Sequence, residues 1–339
     1  MISLSSLENG SLTPQKSTIH ELTELGHALE SKVPGVRFTP SMSWQKCTTM
    51  GAGTWKFPFL EVFTVQQTAE TVRFLRSIRP SWKISLIGGG SNLIGCDKPL
   101  PLTVFLKASP GKDFSRIDRI STKQDQASSA LFECGAACSL GKIVQHVLGQ
   151  GYGGASGLCG IPGSLGGAVR MNAAAQGMSV GDFVETLQIL NTETGEIRRV
   201  GKDYLTWGYH DSSLPGNEMI LSGGLRFSAI NIEDESQKIQ LELNRRSKAP
   251  HGRSAGSIFR NPSPRNPAGK ILEEVGAKGL QCGSFSVSQE HANWIINRGD
   301  TLQPDREEDF IHLLEQLTHL VLEKKGIRLV PEVQFVHSK

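Results

Sequence analysis

The chain lacks a dominant charge: 36 basic side chains stand against 33 acidic ones in 339 residues. Composition therefore selects neither nucleic acid nor a membrane surface, which are recognised through a clustered excess of one sign. No run approaches the roughly 18 apolar residues that a membrane-spanning helix needs. The opening stretch, MISLSSLENGSLTPQKSTIHELTELG, has no basic segment followed by an apolar one, so it does not read as a secretory signal. Its acidic residues argue against a transit peptide, and the cytoplasm is the expected location. Cysteine is sparse, with six scattered at 47, 96, 134, 138, 159 and 282 and no CxxC pair. Cys134 and Cys138 are four apart without a second Cys/His pair beside them. No metal site is expected, and the thiols should be free in a reducing compartment.

Glycine is what the chain has in excess. Between Gly151 and Gly167 it places eight glycines in seventeen positions, GYGGASGLCGIPGSLGG. Each glycine adds backbone entropy that folding must remove, so such density points to close backbone approach or positive φ. A second segment, Leu86-Ile87-Gly88-Gly89-Gly90-Ser91-Asn92-Leu93, follows the apolar run Ile84 to Ile87. Bare backbone N–H groups make an anion cradle. Two such loops suggest a large phosphate-bearing cofactor held across two subdomains.

The length allows two or three cores. Residues 1–40 read as an appendage, with a capping-box spacing at Thr18 and Glu21 and an apolar helical face of Ile19, Leu22, Leu25 and Leu29. That helix should stop near Pro34-Gly35. Strands are expected over 60–65, 84–87, 130–134, 184–190, 197–200 and 219–227, and helices over 68–78 and 140–148. The polar stretch 231–253 suggests a domain boundary. Beyond it come helices over 268–275 and 305–325, short strands at 285–287 and 294–296, and a final strand over 327–336.

Three places could carry chemistry. Glu332, in an otherwise apolar final strand, shares a face with Val330, Gln334 and Val336; burial would raise its pKa and make it an acid. The plainer reading is a carboxylate at a sheet edge. Ser257 lies in the tight loop Ala255-Gly256-Ser257-Ile258-Phe259-Arg260-Asn261-Pro262, where a hydroxyl could pass a proton; an ordinary loop serine is the alternative. The loop is not a GxSxG elbow, so a covalent hydrolase is not suggested. His210, in Tyr209-His210-Asp211-Ser212, could be a titrating ligand contact or a satisfied surface histidine. His291 has the same two readings.

In this order the segments resemble UDP-N-acetylenolpyruvoylglucosamine reductases, flavin enzymes of early peptidoglycan synthesis. The resemblance runs from about Cys47 to Val336. Its most specific stretches are Leu86 to Leu93, Gly157 to Ala168, Gly256 to Pro262 and Pro331-Glu332-Val333. It implies an α+β protein: an FAD-binding p-cresol methylhydroxylase-type fold of two subdomains, then a smaller α+β substrate-binding domain. The implied division is an N-terminal appendage with one amphipathic helix (1–45), FAD-binding subdomains at 46–120 and 121–230, and a substrate domain at 231–339. The implied reaction reduces an enolpyruvyl ether on UDP-N-acetylglucosamine, with NADPH as hydride donor and noncovalent FAD as carrier. The small-molecule partner is a UDP-sugar, and a monomer is the expected state.

Residue by residue, the resemblance makes Ser257 the proton donor to carbon and Glu332 the acid at the substrate carboxylate. Gly88, Gly89, Gly90, Ser91, Asn92, Gly157, Gly160, Ile161, Pro162, Gly163, Ser164 and Gly167 become cofactor contacts. Tyr209, Asn261 and His291 become substrate contacts. The family carries arginine after the tyrosine in Tyr-Arg-x-Ser, and this chain has His210 there. Either His210 serves as an imidazolium, held charged by Asp211 or the substrate carboxylate, or another arginine reaches in, or the reaction is slow. A second departure is Thr49 to Trp55, where the family's Gly-Gly pair is not kept. The short interval between Phe227 and Gly256 matches the branch lacking a substrate-clamping tyrosine loop. Two other readings stay open: an FAD-dependent sugar or sugar-lactone oxidase of the same fold, and a non-catalytic flavin- or nucleotide-binding protein. The oxidase reading is weakened by the absence of histidine over residues 86–97, where such enzymes often tether flavin.

Overall fold

A computed structural model describes residues 16–120, 128–263, 265–299 and 304–336, with the side chains of 16–19 left aside. The first sheet has the spatial order Arg37–Met42, Phe57–Val62, Thr103–Ala108, Lys83–Leu86; its last three strands are parallel. Side chains alternate across a strand. Phe57, Phe59 and Phe105 thus meet Trp44 on one face, while Leu60, Val62, Val104 and Leu106 meet Val72 and Leu75 of the Val65–Ile78 helix on the other. Burial on both faces gives near-continuous apolar strands, as parallel sheets require. The Phe57–Val62 strand stops short of the expected Val65 because Thr64 caps the next helix, accepting from the Gln67 N–H at 3.1 Å.

The N-terminal helix spans Lys16–Lys32 and ends before Pro34-Gly35, as expected. Leu25 and Leu29 are buried in the main core; the Thr18 and Ile19 side chains lie outside the described ones. The reading of 1–45 as an appendage needs correction. Arg37–Met42 pairs antiparallel with Phe57–Val62, so this stretch is the outer strand of the sheet.

The second sheet is antiparallel, ordered Ile197–Gly201, Val184–Asn191, Glu218–Ala229, Ser129–Gly135, Ile117–Ile120, and Tyr152–Gly153 pairs the end of Glu218–Ala229. The polar stretch after it, where a domain boundary is expected, holds a 15-residue helix, Ile232–Arg246, that the sequence reading did not assign. Its buried face carries Ile239 together with Glu235 and Glu242. Carboxylates turned inward defeat a hydrophobic-period reading.

The third sheet joins Gln281–Cys282, Phe285–Val287 and Ile295–Asn297. The Ala268–Glu274 and Glu307–Lys325 helices bury Leu272, Phe310, Leu313 and Leu317 in the same cluster as Phe285 and Ile295. Gly326 ends the long helix with φ +67°. The final strand is much shorter than expected: Gln334–Phe335 forms a two-residue strand, parallel to Leu93–Ile94. Pro331 can donate no ladder hydrogen bond, and Val330 is 54% exposed. Among the described residues no helix is long and apolar enough to cross a membrane.

Candidate active site

The Lys83–Leu86 strand delivers the first glycine loop against the second. A Cβ on Gly89 would stand 2.7 Å from the Gly163 Cα, and one on Gly88 3.0 Å from the Ser164 Oγ. Gly163, at φ +110°, would itself meet the Ser91 Oγ at 2.7 Å, and that hydroxyl donates to the Pro162 carbonyl at 3.0 Å. Side chains on these glycines would prise the loops apart. Among the described residues, the backbone N–H groups of Gly88, Gly89, Gly90, Ser91 and Asn92 meet no protein acceptor. Facing, unspent donors fit the diphosphate of a dinucleotide. The adjoining cleft is lined by Leu86, Ile87 and Gly88 on one side and by Ala136, Ser164, Gly166, Gly167 and Ile220 on the other. The residues present therefore fit FAD.

Not every glycine named from the sequence belongs to this cradle. A Cβ on Gly157 would meet the Ala175 carbonyl at 2.8 Å, and one on Gly160, at φ +87°, the Arg246 side chain at 2.7 Å. Those two allow close packing of the protein on itself. Ile161 is half-buried against the main core. Asn92 turns its side chain away, donating to the Glu332 carbonyl at 3.1 Å. On the departing segment, Gly51 packs against the Arg253 guanidinium, and the Thr49 N–H donates to the Gly90 carbonyl at 3.1 Å.

The structure gathers His210, Glu332 and the Ser257 loop. Trp207–Gly208 and Asp211–Ser212 pair antiparallel, leaving Tyr209-His210 as a two-residue turn. His210 sits at φ +49°, a left-handed conformation in which histidine is enriched over most residues. Asn172 anchors the turn by donating to the Gly208 carbonyl at 2.8 Å. On the other side, the Glu332 N–H donates to the Ile258 carbonyl at 2.7 Å, the Arg260 N–H donates to the Val330 carbonyl at 2.9 Å, and Phe259 bridges Pro331. The Ser257 loop and the Glu332 segment thus run side by side, with Ser257 half-buried. His210 Nδ1 lies 3.2 Å from Glu332 Oε1, each side chain 17% exposed.

Burial pushes the Glu332 carboxyl up to about 7, against the opposing pull of Arg260. Burial, and then the Arg260 charge, push His210 below the ordinary histidine value. The carboxylate that was expected to lift the imidazole pKa does not prevail. Asp211, named as its alternative partner, is exposed, and Glu332 takes that place. Both shifts favour the uncharged forms, a neutral imidazole beside a carboxyl group.

Tyr209 is 56% exposed, its ring edge-on to His210 at 4.4 Å. Asn261 accepts from the Ala268 N–H at 2.9 Å, capping a short helix. His291 packs over Gly269 and accepts from the Asn293 N–H at 3.2 Å, so these contacts do not join it to the His210–Glu332 pair. Sequence reasoning missed Asn293. Buried, it accepts from the Phe259 N–H and donates to the Phe259 carbonyl, both at 2.9 Å. Only the fold pairs it with that loop. It also missed Arg260 and Glu235, considered below. All six cysteines are free, and burial pushes the Cys47 and Cys96 thiols up to about 12. Cys282, Asp309 and His312 bring donor atoms within 4.8 Å of one another, a grouping that cysteine spacing alone does not register.

Residues 59–201 match the FAD binding domain family, and residues 247–336 match UDP-N-acetylenolpyruvoylglucosamine reductase, C-terminal domain. A UDP-N-acetylenolpyruvoylglucosamine reductase of Alkalilimnicola ehrlichii is 33% identical over 270 residues, 79% of this chain and 85% of the relative. One of Chlamydia abortus is 32% identical over 282 residues, 82% and 87% of the two chains. The crystal structure of UDP-N-acetylenolpyruvylglucosamine reductase from Thermus caldophilus superposes with a TM-score of 0.69 at 27% identity, covering 88% of this chain and 98% of that one. On these matches, and with the two glycine loops facing each other beside the Glu332 segment, the chain belongs to the UDP-N-acetylenolpyruvoylglucosamine reductase family.

Proposed function

We propose that this chain reduces the enolpyruvyl ether of a UDP-N-acetylglucosamine derivative to the lactyl ether, with NADPH as hydride donor. Bound FAD supplies the hydride relay from nicotinamide to the methylene carbon of the substrate. The chain's own residues hold the two ends of the reaction. Gly88 to Asn92 and Gly163 to Gly167 receive the cofactor's diphosphate. Hydride addition places negative charge on the substrate carboxylate as an enolate, and a protonated Glu332 donates a hydrogen bond to it. Ser257 then delivers a proton to the adjacent carbon, which balances the hydride. Tyr209 and His210 close the substrate side. We assign the cofactor chiefly to residues 46–230 and the substrate chiefly to 231–339, with the Tyr209-His210 turn reaching the substrate side and the Ile232–Arg246 helix packing on the cofactor side, in a cytoplasmic monomer.

The observation that carries this reading is the Asn92 side chain, 3.1 Å from the Glu332 carbonyl: it joins the cofactor loop to the acid segment. Anaerobic titration tests it. NADPH should bleach the bound flavin, and the enolpyruvyl UDP-sugar should restore its colour. Ser257→Ala should keep the first step and slow the second by about 10²–10⁴-fold, the usual worth of a positioned acid. Rapid reoxidation by oxygen with indifference to the UDP-sugar would favour an oxidase instead.

A further inference from the structure

The resemblance places His210 where the family carries arginine, and a permanent cation for the substrate carboxylate has to be found among the other residues of the site if there is one. Arg260 follows Phe259, whose backbone is fixed on both sides by Asn293. Its own N–H is bound to the Val330 carbonyl, two residues before Glu332. From that anchored backbone the side chain reaches the histidine turn, where Nη1 donates to the Tyr209 carbonyl at 3.4 Å. Its Nε is buried without a hydrogen-bond partner, and among the described residues no carboxylate lies within 4.0 Å of the guanidinium. A buried guanidinium N–H without an acceptor is costly, and such groups in native proteins call for an explanation.

We propose that Arg260 is the residue that binds the carboxylate of the enolpyruvyl group in this chain. The proposal rests on the function put forward above and adds the source of the charge. A guanidinium stays charged throughout, presents parallel N–H donors to a carboxylate, and moves no proton. The surroundings agree with a single cation: next to Arg260, burial and like charge disfavour imidazolium at His210, and Glu332 is held toward its neutral form. Both neighbours are pushed toward their uncharged forms, so Arg260 is the one of the three whose charge does not depend on pH, matched to one carboxylate.

Calorimetric titration of the oxidised holoenzyme separates this role from a structural one. Two ligands are compared: the enolpyruvyl UDP-sugar, and UDP-N-acetylglucosamine, which has no carboxylate. A hydrogen bond to a charged group contributes about 1.5–3 kcal/mol. Arg260→Gln should therefore weaken binding of the enolpyruvyl ligand by about 10- to 100-fold and leave UDP-N-acetylglucosamine within a factor of about two. Arg260→Lys, which keeps the charge but not the fork, should fall between. His210→Gln should change the ratio of the two affinities by less than about threefold. Equal weakening of both ligands by Arg260→Gln, or an unchanged ratio, would overturn the assignment. A larger ratio change in His210→Gln would return the role to that position. If the wild type binds UDP-N-acetylglucosamine yet gains nothing from the enolpyruvyl group, the function proposed above fails with it.

Discussion

At the scale of single residues, the site turns on the contact between His210 Nδ1 and Glu332 Oε1, 3.2 Å apart. Each residue was a candidate from its neighbours in sequence, but neither sequence neighbourhood contains the other. What sequence could not supply was the sign of the shift. A carboxylate beside a histidine ordinarily raises its pKa, yet desolvation and Arg260 act the other way here. Because burial raises Glu332 to about 7, the fold favours its protonated form. The associated stability is fully present below the ordinary glutamate pKa and is lost as pH rises from there through about 7. Glu332→Gln should thus flatten the stability profile over that window, by on the order of 3 kcal/mol in urea unfolding. Matching wild-type and variant profiles would mean that Glu332 is not desolvated. On the role proposed above for Glu332, the substrate half-reaction should also decline above pH 7, because an ionised carboxylate has no proton to donate to an enolate.

Among elements, the glycine loops and the Ile232–Arg246 helix act together. Glu235 on that helix accepts from the Gly154 N–H at 3.0 Å and from the Ser156 N–H at 3.1 Å, with its side chain buried. Glu235→Ala leaves two backbone donors unsatisfied, each worth roughly 1–3 kcal/mol. A fall of about 2–5 kcal/mol in unfolding free energy is expected, and a change under 1 kcal/mol would show that water replaces the carboxylate. Gly89 makes a different prediction. An added methyl would stand 2.7 Å from Gly163 backbone, which cannot rotate aside. Gly89→Ala should lower the flavin content of a protein whose circular dichroism is unchanged; full flavin occupancy would separate the loop contact from cofactor binding. The helix period exposed the Leu140–Leu148 helix to the residue and the Val65–Ile78 helix without its first three residues. It missed Ile232–Arg246 because acidic side chains occupy its inner face.

Across the whole molecule, Leu93–Ile94 and Gln334–Phe335 pair in parallel although 240 residues separate Asn92 from Glu332, joined there by a side-chain hydrogen bond. This seam ties the loop after the first sheet to the segment that carries the acid. Asn92 was expected as a cofactor contact on sequence grounds, and its side chain instead serves that tie. Asn92→Ala should therefore retain bound flavin and reduction by NADPH while slowing reoxidation by the enolpyruvyl substrate, which rapid mixing resolves. Loss of flavin with no selective effect on the second half-reaction would extend the cofactor role from the Asn92 backbone to its side chain. Arg76 and Arg73 make a second tie, donating from the Val65–Ile78 helix to the Thr192 and Gly195 carbonyls.

Local chemistry determined much of this protein from sequence. Glycine density marked both loops, period-3.6 patterns marked the amphipathic helices, and short motifs marked Ser257 and Glu332, because each signal is written within about a dozen adjacent residues. The tertiary structure alone decided which loops face each other, that Arg37–Met42 completes a sheet, and that the Glu332 segment runs along the Ser257 loop beside His210. It also decided the protonation of that pair. Desolvation depends on everything packed around a group, and here that comes from three separated stretches of chain, 209–210, 258–260 and 330–332.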